Sequence, residues 1–424
     1  MSSQVTIDPD PGCDRNEQGG RLLRTRLLRV VRRVKANVDA RRLPAAIKEQ
    51  LRIDRNGLPA MDPGSLPVID AAIQWLYRAQ DESASRDGGV ARSFDLRTGW
   101  ESSYPETTGY IISTLVNHAA ATGSEESRIR AQRMLDWLVG IQMPCGAFQG
   151  GKIDSRPVVP VHFNTGQILL GLAAGETTFG SYRRPLCRAA DWLVETQDRD
   201  GCWRGFQSPF AAAGDKTYDT HIAWALLEAA KIEPNRGYAE AALANVHWAL
   251  THQRANGWFD YCCLSDASQP LTHTIGYALR GVIEAYLHFR DPRLLKAARG
   301  TADGVLTAVR SDGSLPGLLA SDWSSPVDWV CLTGMAQIAY CWLTLYGETS
   351  DSRYRDAALA ANSYLRRTVL VDGPLDIRGG VKGSFPIDGE YGKYQYLSWA
   401  AKFLVDSLVL EQNFRRKGPR SAVA

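Results

Sequence analysis

The chain has 424 residues, 44% hydrophobic and 22% charged, enough apolar sequence for a large core and too much for a disordered polymer. Its eight cysteines form no C-x-x-C pair and several sit within apolar helical patterns, which argues against a disulfide framework and predicts buried thiols in a reducing, cytoplasmic compartment. The net charge is only +3, yet residues 21–52 carry eleven Arg or Lys against two acids, so the basic character marks one local contact and not general nucleic-acid affinity.

In chain order, residues 1–19 are polar and acidic, lack the apolar stretch of a secretory signal, and are expected to be disordered. Leu22, Leu23, Leu27, Leu28, Val30, Val31, Val34 and Val38 then recur at helical spacing among seven basic residues of 21–35. That pattern predicts a basic amphipathic helix within a segment 20–67 that ends in a linker marked by Pro59, Pro63 and Pro67. Two readings of it stand: a helix packed against the main domain with a solvated Arg face, or a peripheral contact with a membrane surface of anionic lipid or with an acidic partner.

Residues 68–412 repeat themselves, and 413–424 form a basic tail. The anchors Trp75-Leu76, Trp137-Leu138, Trp192-Leu193, Trp248-Ala249, Gly304-Val305 and Tyr364-Leu365 lie 55 to 62 residues apart. Each closes a helix and is followed by a polar Gly-containing turn, a loop of variable length and a second apolar helix. These second helices are expected to begin near Thr108, Thr165, Thr220, Thr274, Thr333 and Ser398. Six helix pairs at this period predict an all-α array of hairpins, with the variable loops and the function on one face. The charge-free run Trp329–Gly347 holds Thr333, Gln337 and Thr344 and reads as a buried helix in preference to a membrane span.

Three turns are more specific: Gln142-Met-Pro-Cys-Gly146-Ala-Phe148, Gln197-Asp-Arg-Asp-Gly201-Cys-Trp203 and Gln253-Arg-Ala-Asn-Gly257-Trp258. This Q-x3-G-x-aromatic pattern resembles the QW repeat of the terpenoid cyclase and protein prenyltransferase toroid superfamily. The resemblance covers roughly residues 70–410 and implies an (α/α)6 toroid of six helical hairpins. It does not carry the chemistry across. The D-x-D-D acid of class II terpenoid cyclases is missing, and the zinc motifs of prenyltransferase β subunits do not align. Similar six-hairpin toroids serve glycan-active hydrolases, uronate lyases and sugar epimerases. The segments Ser103-Tyr-Pro-Glu-Thr-Thr-Gly-Tyr110 and Gly379-Gly-Val-Lys-Gly-Ser384 look like those of toroid proteins associated with bacterial polysaccharide gene clusters.

In such a ring the second helices point their N-termini at one face, where unpaired N–H groups favour an anionic ligand. The residues before and within those first turns supply candidates. Catalytic candidates are His221, His273, Asp219, Glu106, Tyr104 and Tyr218; substrate-binding candidates are Asn164, His162, Trp329, Arg378, Lys382 and Tyr391. Thr165, Thr220, Thr274 and Thr333 read most simply as N-caps, and Asn164 and Asp219 share that reading. A charged His is disfavoured at a helix N-terminus, so His221 and His273 suit a neutral base. In a lyase, Asn164, Arg378 or Lys382 would neutralise a uronate carboxylate, a His would take the proton and a Tyr would donate one. In a hydrolase, Glu106 and Asp219 are the best carboxylate pair. The glycines around Lys382 fit an anion nest or a simple turn. Cys331, at a helix start, is a weak candidate nucleophile. No cysteine or histidine shows metal-ligand spacing, and no cofactor is implied.

The expectation is a carbohydrate-active enzyme working on an acidic oligo- or polysaccharide, free or lipid-linked, by elimination, hydrolysis or epimerisation. The alternatives are a cyclase-like enzyme with an atypical acid, which requires an apolar cavity, and a non-catalytic glycan-binding scaffold.

Overall fold

A computed structural model describes residues 43–209 and 211–417. The acidic stretch 1–19, the basic segment 21–35 and residues 418–424 of the tail lie outside the described residues. The chain divides into two units, 1–52 and 53–424. In the first, the described residues begin helix α1 (Ala45–Arg55), where Glu49 and Arg52 pair one turn apart on the exposed face.

The second unit alternates two kinds of helix. The outer ones are α2 (Ser65–Asp81), α4 (Glu125–Ile141), α6 (Arg183–Glu195), α8 (Tyr238–Thr251), α10 (Pro292–Thr307) and α12 (Ser352–Arg367). The inner ones are α3 (Pro105–Thr122), α5 (His162–Phe179), α7 (Thr220–Ile232), α9 (Thr272–Phe289), α11 (Leu332–Thr349) and α13 (Ser398–Lys417). Each inner helix packs on the next, and α13 packs on α2 and α3, so the ring closes as an (α/α)6 toroid. The outer helices are amphipathic. The inner ones are buried almost all round, as a helix between lumen and outer layer must be. Thus the charge-free run ends up inside α11, and no described helix is long and apolar enough to cross a membrane.

The two ends of the ring differ. Four inner helices end in a left-handed residue (Gly123, Gly180, Arg290 and Ser350) and turn at once into the next outer helix. The long loops all lie at the opposite end. There β1 (Ser93–Asp95) pairs with both β2 (Gly99–Trp100) and β5 (Gln395–Leu397), tying the first loop to the last across the seam. A second pair, β3 (Val330–Cys331) with β4 (Ser384–Phe385), joins the fifth loop to the sixth.

The QW turns are the joints between outer helices. Gln142 Nε2 donates to Gly146 O within its own turn and to Pro185 O on α6, both at 2.9 Å. Gln197 repeats this toward Gly201 O and Ala241 O, and Gln253 reaches Ala297 O and Thr301 Oγ1. The glycine is dictated by contact as well as by its positive φ: a Cβ at Gly201 would stand 2.5 Å from Ala244 O on α8.

Two expectations are corrected. The threonines expected as caps do not cap. Helices α7 and α13 start at Thr220 and Ser398 as expected, the other four start one to three residues earlier, and the N-cap residues Tyr104, Val161, Asp219 and Leu271 make no side-chain cap bond. Thr165 Oγ1 instead donates to Val161 O and accepts from Phe148 N, and Thr108 does the same with Tyr104 O and Val90 N. These hydroxyls pin the incoming loop to the inner helix. Cys331 is itself a cap: its Sγ accepts from Gly334 N at 3.4 Å, and burial pushes the thiol up to about 12, which removes it as a nucleophile at neutral pH.

Candidate active site

At the loop end, the first turns of the inner helices surround a cavity of about 460 Å³, within the usual range of ligand sites. It is lined by α3, α5, α9 and α13 and by the loops that precede α3, α5, α7, α9 and α13.

Glu106 is the central group. Tyr104 is extended and Pro105 opens α3, which aims the next side chain into the lumen. Tyr104 Oη donates to Glu106 Oε2 at 2.7 Å, and Asn164 Nδ2, from α5, donates to the same oxygen at 3.0 Å. The carboxyl touches the cavity but is enclosed by protein on every other side. Burial therefore raises its pKa to about 7, and the Tyr104 hydrogen bond and the Arg92 charge offset this only in part. Such a group exchanges a proton at neutral pH, as a general acid or base must.

Glu101 is tuned the other way. Burial alone would raise it, but Ser93 Oγ at 2.6 Å, Arg92 at 3.0 Å and Lys152 at 3.3 Å hold it below its ordinary value. The two carboxyls that line the cavity are thus pushed apart, one ionised and one half-protonated near pH 7. Arg92 also donates to Gln395 Oε1 and lies over the Trp399 ring at 5.2 Å. Trp399 Nε1 donates to Tyr391 Oη at 2.8 Å.

Aromatic rings make up much of the rest: Tyr110, Phe163, Tyr218 and Tyr277. Burial holds the phenols of Tyr104, Tyr110, Tyr218, Tyr277 and Tyr391 well above their ordinary value, so they serve as donors. His273 reaches the cavity from α9, its ring 4.4 Å from that of Tyr277. Burial lowers its pKa to about 4, against the raising effect of its hydrogen bond to Gln337, so it is neutral at neutral pH.

The cavity therefore gathers six of the candidates read from the sequence: Tyr104, Glu106, Tyr218, His273, Asn164 and Tyr391. The others stand elsewhere. His221 lies beneath Tyr277, which faces the cavity, and its Nδ1 meets Gln167 Oε1 at 2.7 Å. His162 stacks on Trp192 and bonds Thr196, behind the wall. Asp219 is buried outside the lining, and burial raises it well above its ordinary value. Trp329 lines a smaller neighbouring hollow that shares Tyr391. Arg378 lies where the sixth loop meets α2, its carbonyl accepting from Arg78. Lys382 is buried in an ion pair with Asp54 at 2.6 Å, so its ammonium is already taken and does not line the cavity.

Sequence reasoning missed Arg92, Glu101, Lys152, Tyr110, Tyr277 and Trp399. One signal was present. Tyr110 and Tyr277 follow Glu106 and His273 by four residues, one helical turn deeper on the same face. The loop residues carried none. Among the described residues no three His, Cys, Asp or Glu gather as a metal site.

Comparisons agree with this architecture. The family model described as the squalene-hopene cyclase C-terminal domain matches residues 105–283. No curated protein sequence matches the chain. Among solved structures, an unsaturated glucuronyl hydrolase specific for heparin superposes with a TM-score of 0.66 at 17% identity, over 84% of this chain and 98% of that one. The unsaturated glucuronyl hydrolase of Bacillus sp. GL1 gives 0.63 at 16%, over 84% and 98%. The cellobiose 2-epimerase of Bacillus thermoamylovorans B4167 gives 0.63 at 10%, over 85% and 98%. At these identities the likeness speaks to the fold, the α/α toroid.

Proposed function

We propose that this chain is a carbohydrate-active enzyme that works on an acidic oligo- or polysaccharide by proton transfer at Glu106. One observation carries the reading: the enclosed carboxyl of Glu106, held by Tyr104 and Asn164, sits in an aromatic cavity whose wall bears Arg92 and Lys152. The two cations, with the N-termini of the inner helices, suit a substrate carboxylate. The faces of Trp399, Tyr277 and Phe163 suit the apolar faces of sugar rings. Protonated Glu106 gives its proton to the sugar, and Tyr104 steadies the carboxylate left behind. Tyr218 and Tyr391 supply donors to hydroxyl groups.

Displacement between two free carboxylates fits less well, because Glu101 is bound to two cations and a serine. Hydration of an unsaturated uronate, its formation by elimination, and epimerisation all begin with one proton transfer and remain the three outcomes. The solved relatives named for unsaturated glucuronyl hydrolysis and cellobiose epimerisation support this range. The match to the cyclase model favours an isoprenoid substrate, but such a substrate needs an apolar cavity, and Arg92, Glu101, Lys152 and Glu106 line this one.

The test is to incubate the full chain with saturated uronate oligosaccharides, unsaturated ones and cellobiose, following ultraviolet absorbance, reducing ends and the sugar protons by NMR. Turnover of an acidic saccharide, abolished in Glu106→Gln, is expected. Turnover of none, or turnover indifferent to that substitution, overturns the reading. The same reading makes residues 21–35 a peripheral anchor to an anionic membrane surface, suited to a lipid-linked saccharide. Co-sedimentation with vesicles containing anionic lipid, but not with neutral ones, is expected. Equal binding to both removes the anchor.

A further inference from the structure

We infer that Gln337 is a positioning residue that holds His273 as the second proton-transfer group of the cavity, a base presenting its Nε2 lone pair. This rests on the functional reading above and adds the partner that Glu106 needs. A protonated acid can give a proton, and a neutral base must be there to accept one.

The geometry comes from two helices pressed together. His273 is the second residue of α9, and Gln337 the sixth of α11. A Cβ at Gly334 would stand 2.4 Å from His273 N, and one at Gly276 would stand 2.9 Å from Gln337 Cβ. Only glycine at these two places lets the helices approach so closely. The result is a 2.6 Å hydrogen bond between His273 Nδ1 and Gln337 Oε1, buried from solvent. An amide oxygen accepts only, so Nδ1 carries the proton and Nε2 does not. The same bond raises the basicity of a ring that burial depresses.

The Gln337 amide leaves one group to account for. Its Nε2 is buried and finds no protein partner among the described residues, and the same holds for His221 Nε2. Both side chains line a small void of about 10 Å³ with Lys402 and Asp406, themselves paired at 2.6 Å. That is about the room one water takes. A water there would accept from Gln337 and Lys402 and donate to His221 Nε2 and Asp406. His221 in turn gives its Nδ1 proton to Gln167 Oε1, again the sixth residue of an inner helix. Of these groups only His273 lines the cavity, and with its Nδ1 taken up by Gln337 the nitrogen left to face it is Nε2.

The test reads the ring directly. Full-length protein labelled with 15N-histidine is examined by long-range 1H–15N NMR at about pH 7, and His273 is assigned by the signal lost in His273→Gln. A neutral ring protonated at Nδ1 is expected, turning into a mixture of tautomers in Gln337→Leu. A ring protonated at Nε2, or charged at that pH, overturns the inference without need of any substrate. In turnover of a uronate oligosaccharide, Gln337→Leu is expected to lower kcat about tenfold or more at little change in KM, part of the 10²–10⁴ a positioned base contributes. Gln337→Glu, which keeps an acceptor, is expected to restore part of it and move the acid limb of the pH profile upward. Unchanged kcat in Gln337→Leu, with Glu106→Gln inactive, overturns this inference and leaves the functional reading standing. If the native chain turns over no acidic saccharide, the functional reading fails, and the catalytic role of His273 fails with it.

Discussion

Tyr104 and Glu106, two residues apart across the first turn of α3, are joined by a 2.7 Å hydrogen bond from phenol to carboxylate deep in the ring. The bond favours the ionised acid, but burial opposes it more strongly and the carboxyl stays half-protonated near pH 7. The cavity is therefore built at a cost in stability, and that cost depends on pH.

The first prediction follows from that balance. In the unfolded chain Glu106 titrates near 4.5, and in the folded chain near 7. Below the lower value both states hold the proton and nothing is lost. Between the two values the unfolded chain ionises while the native state keeps its proton, so stability falls as pH rises from about 4.5, and above about 7 the loss is complete at about 3 kcal/mol. Glu106→Gln removes the charge, so it is expected to raise the melting temperature at about pH 8 and leave it unchanged at about pH 4. Thermal unfolding at the two pH values checks this; equal shifts at both would contradict it.

Tyr104→Phe removes the donor that holds the Glu106 pKa down. The pKa is expected to rise further, and the alkaline limb of kcat/KM to move upward with it. A pH profile of the variant checks the direction; a downward move would mean that the phenol acts on the substrate and not on the acid.

Lys152→Met leaves Glu101 its contacts with Arg92 and Ser93 but removes one cation from the wall. For an acidic saccharide KM is expected to rise about tenfold, the size of one charge-assisted hydrogen bond, with kcat little changed. The difference from the native chain should shrink as salt is added, since Lys152 is partly exposed. Initial rates at low and high ionic strength measure both effects.

Breaking the Asp54–Lys382 pair should unfold the chain more readily. Asp54 also accepts from Ile387 N at 2.8 Å, so it is held on both sides. Lys382→Met leaves a buried carboxylate without its cation and is expected to cost about 3–5 kcal/mol, while the double variant with Asp54→Asn recovers part of that loss. Urea unfolding of the two variants and the native chain tests this.

Much of the ring was legible in the sequence because its joints are local. Gln197, Gly201 and Trp203 lie within seven residues, and their spacing announces the bonds they make. The site was legible only where it sits on helices. Glu106, Asn164 and His273 are all in first turns, where the repeat brings them to one face. His221 shows the limit of that logic: it holds the same second position in α7 as His273 in α9, yet the Tyr277 ring, 4.4 Å from both, covers it. Lys382 shows another. Its partner Asp54 is 328 residues away, and no local pattern announces so remote a pair. Arg92, Glu101 and Lys152 lie on loops whose course depends on the strands that close the ring, so their convergence appears only in three dimensions.

The left-handed endings of the inner helices have a wider consequence. Gly123, Gly180, Arg290 and Ser350 turn the chain back within two or three residues, so four of the five joints at the end of the ring away from the cavity are short stitches. All slack in the chain falls at the other end. Loops there can lengthen, shorten or exchange residues without changing the circumference that the helices must close. The scaffold thus separates what must stay constant from what is free to vary, and a lineage can explore new substrates at one rim while the opposite rim keeps the barrel shut.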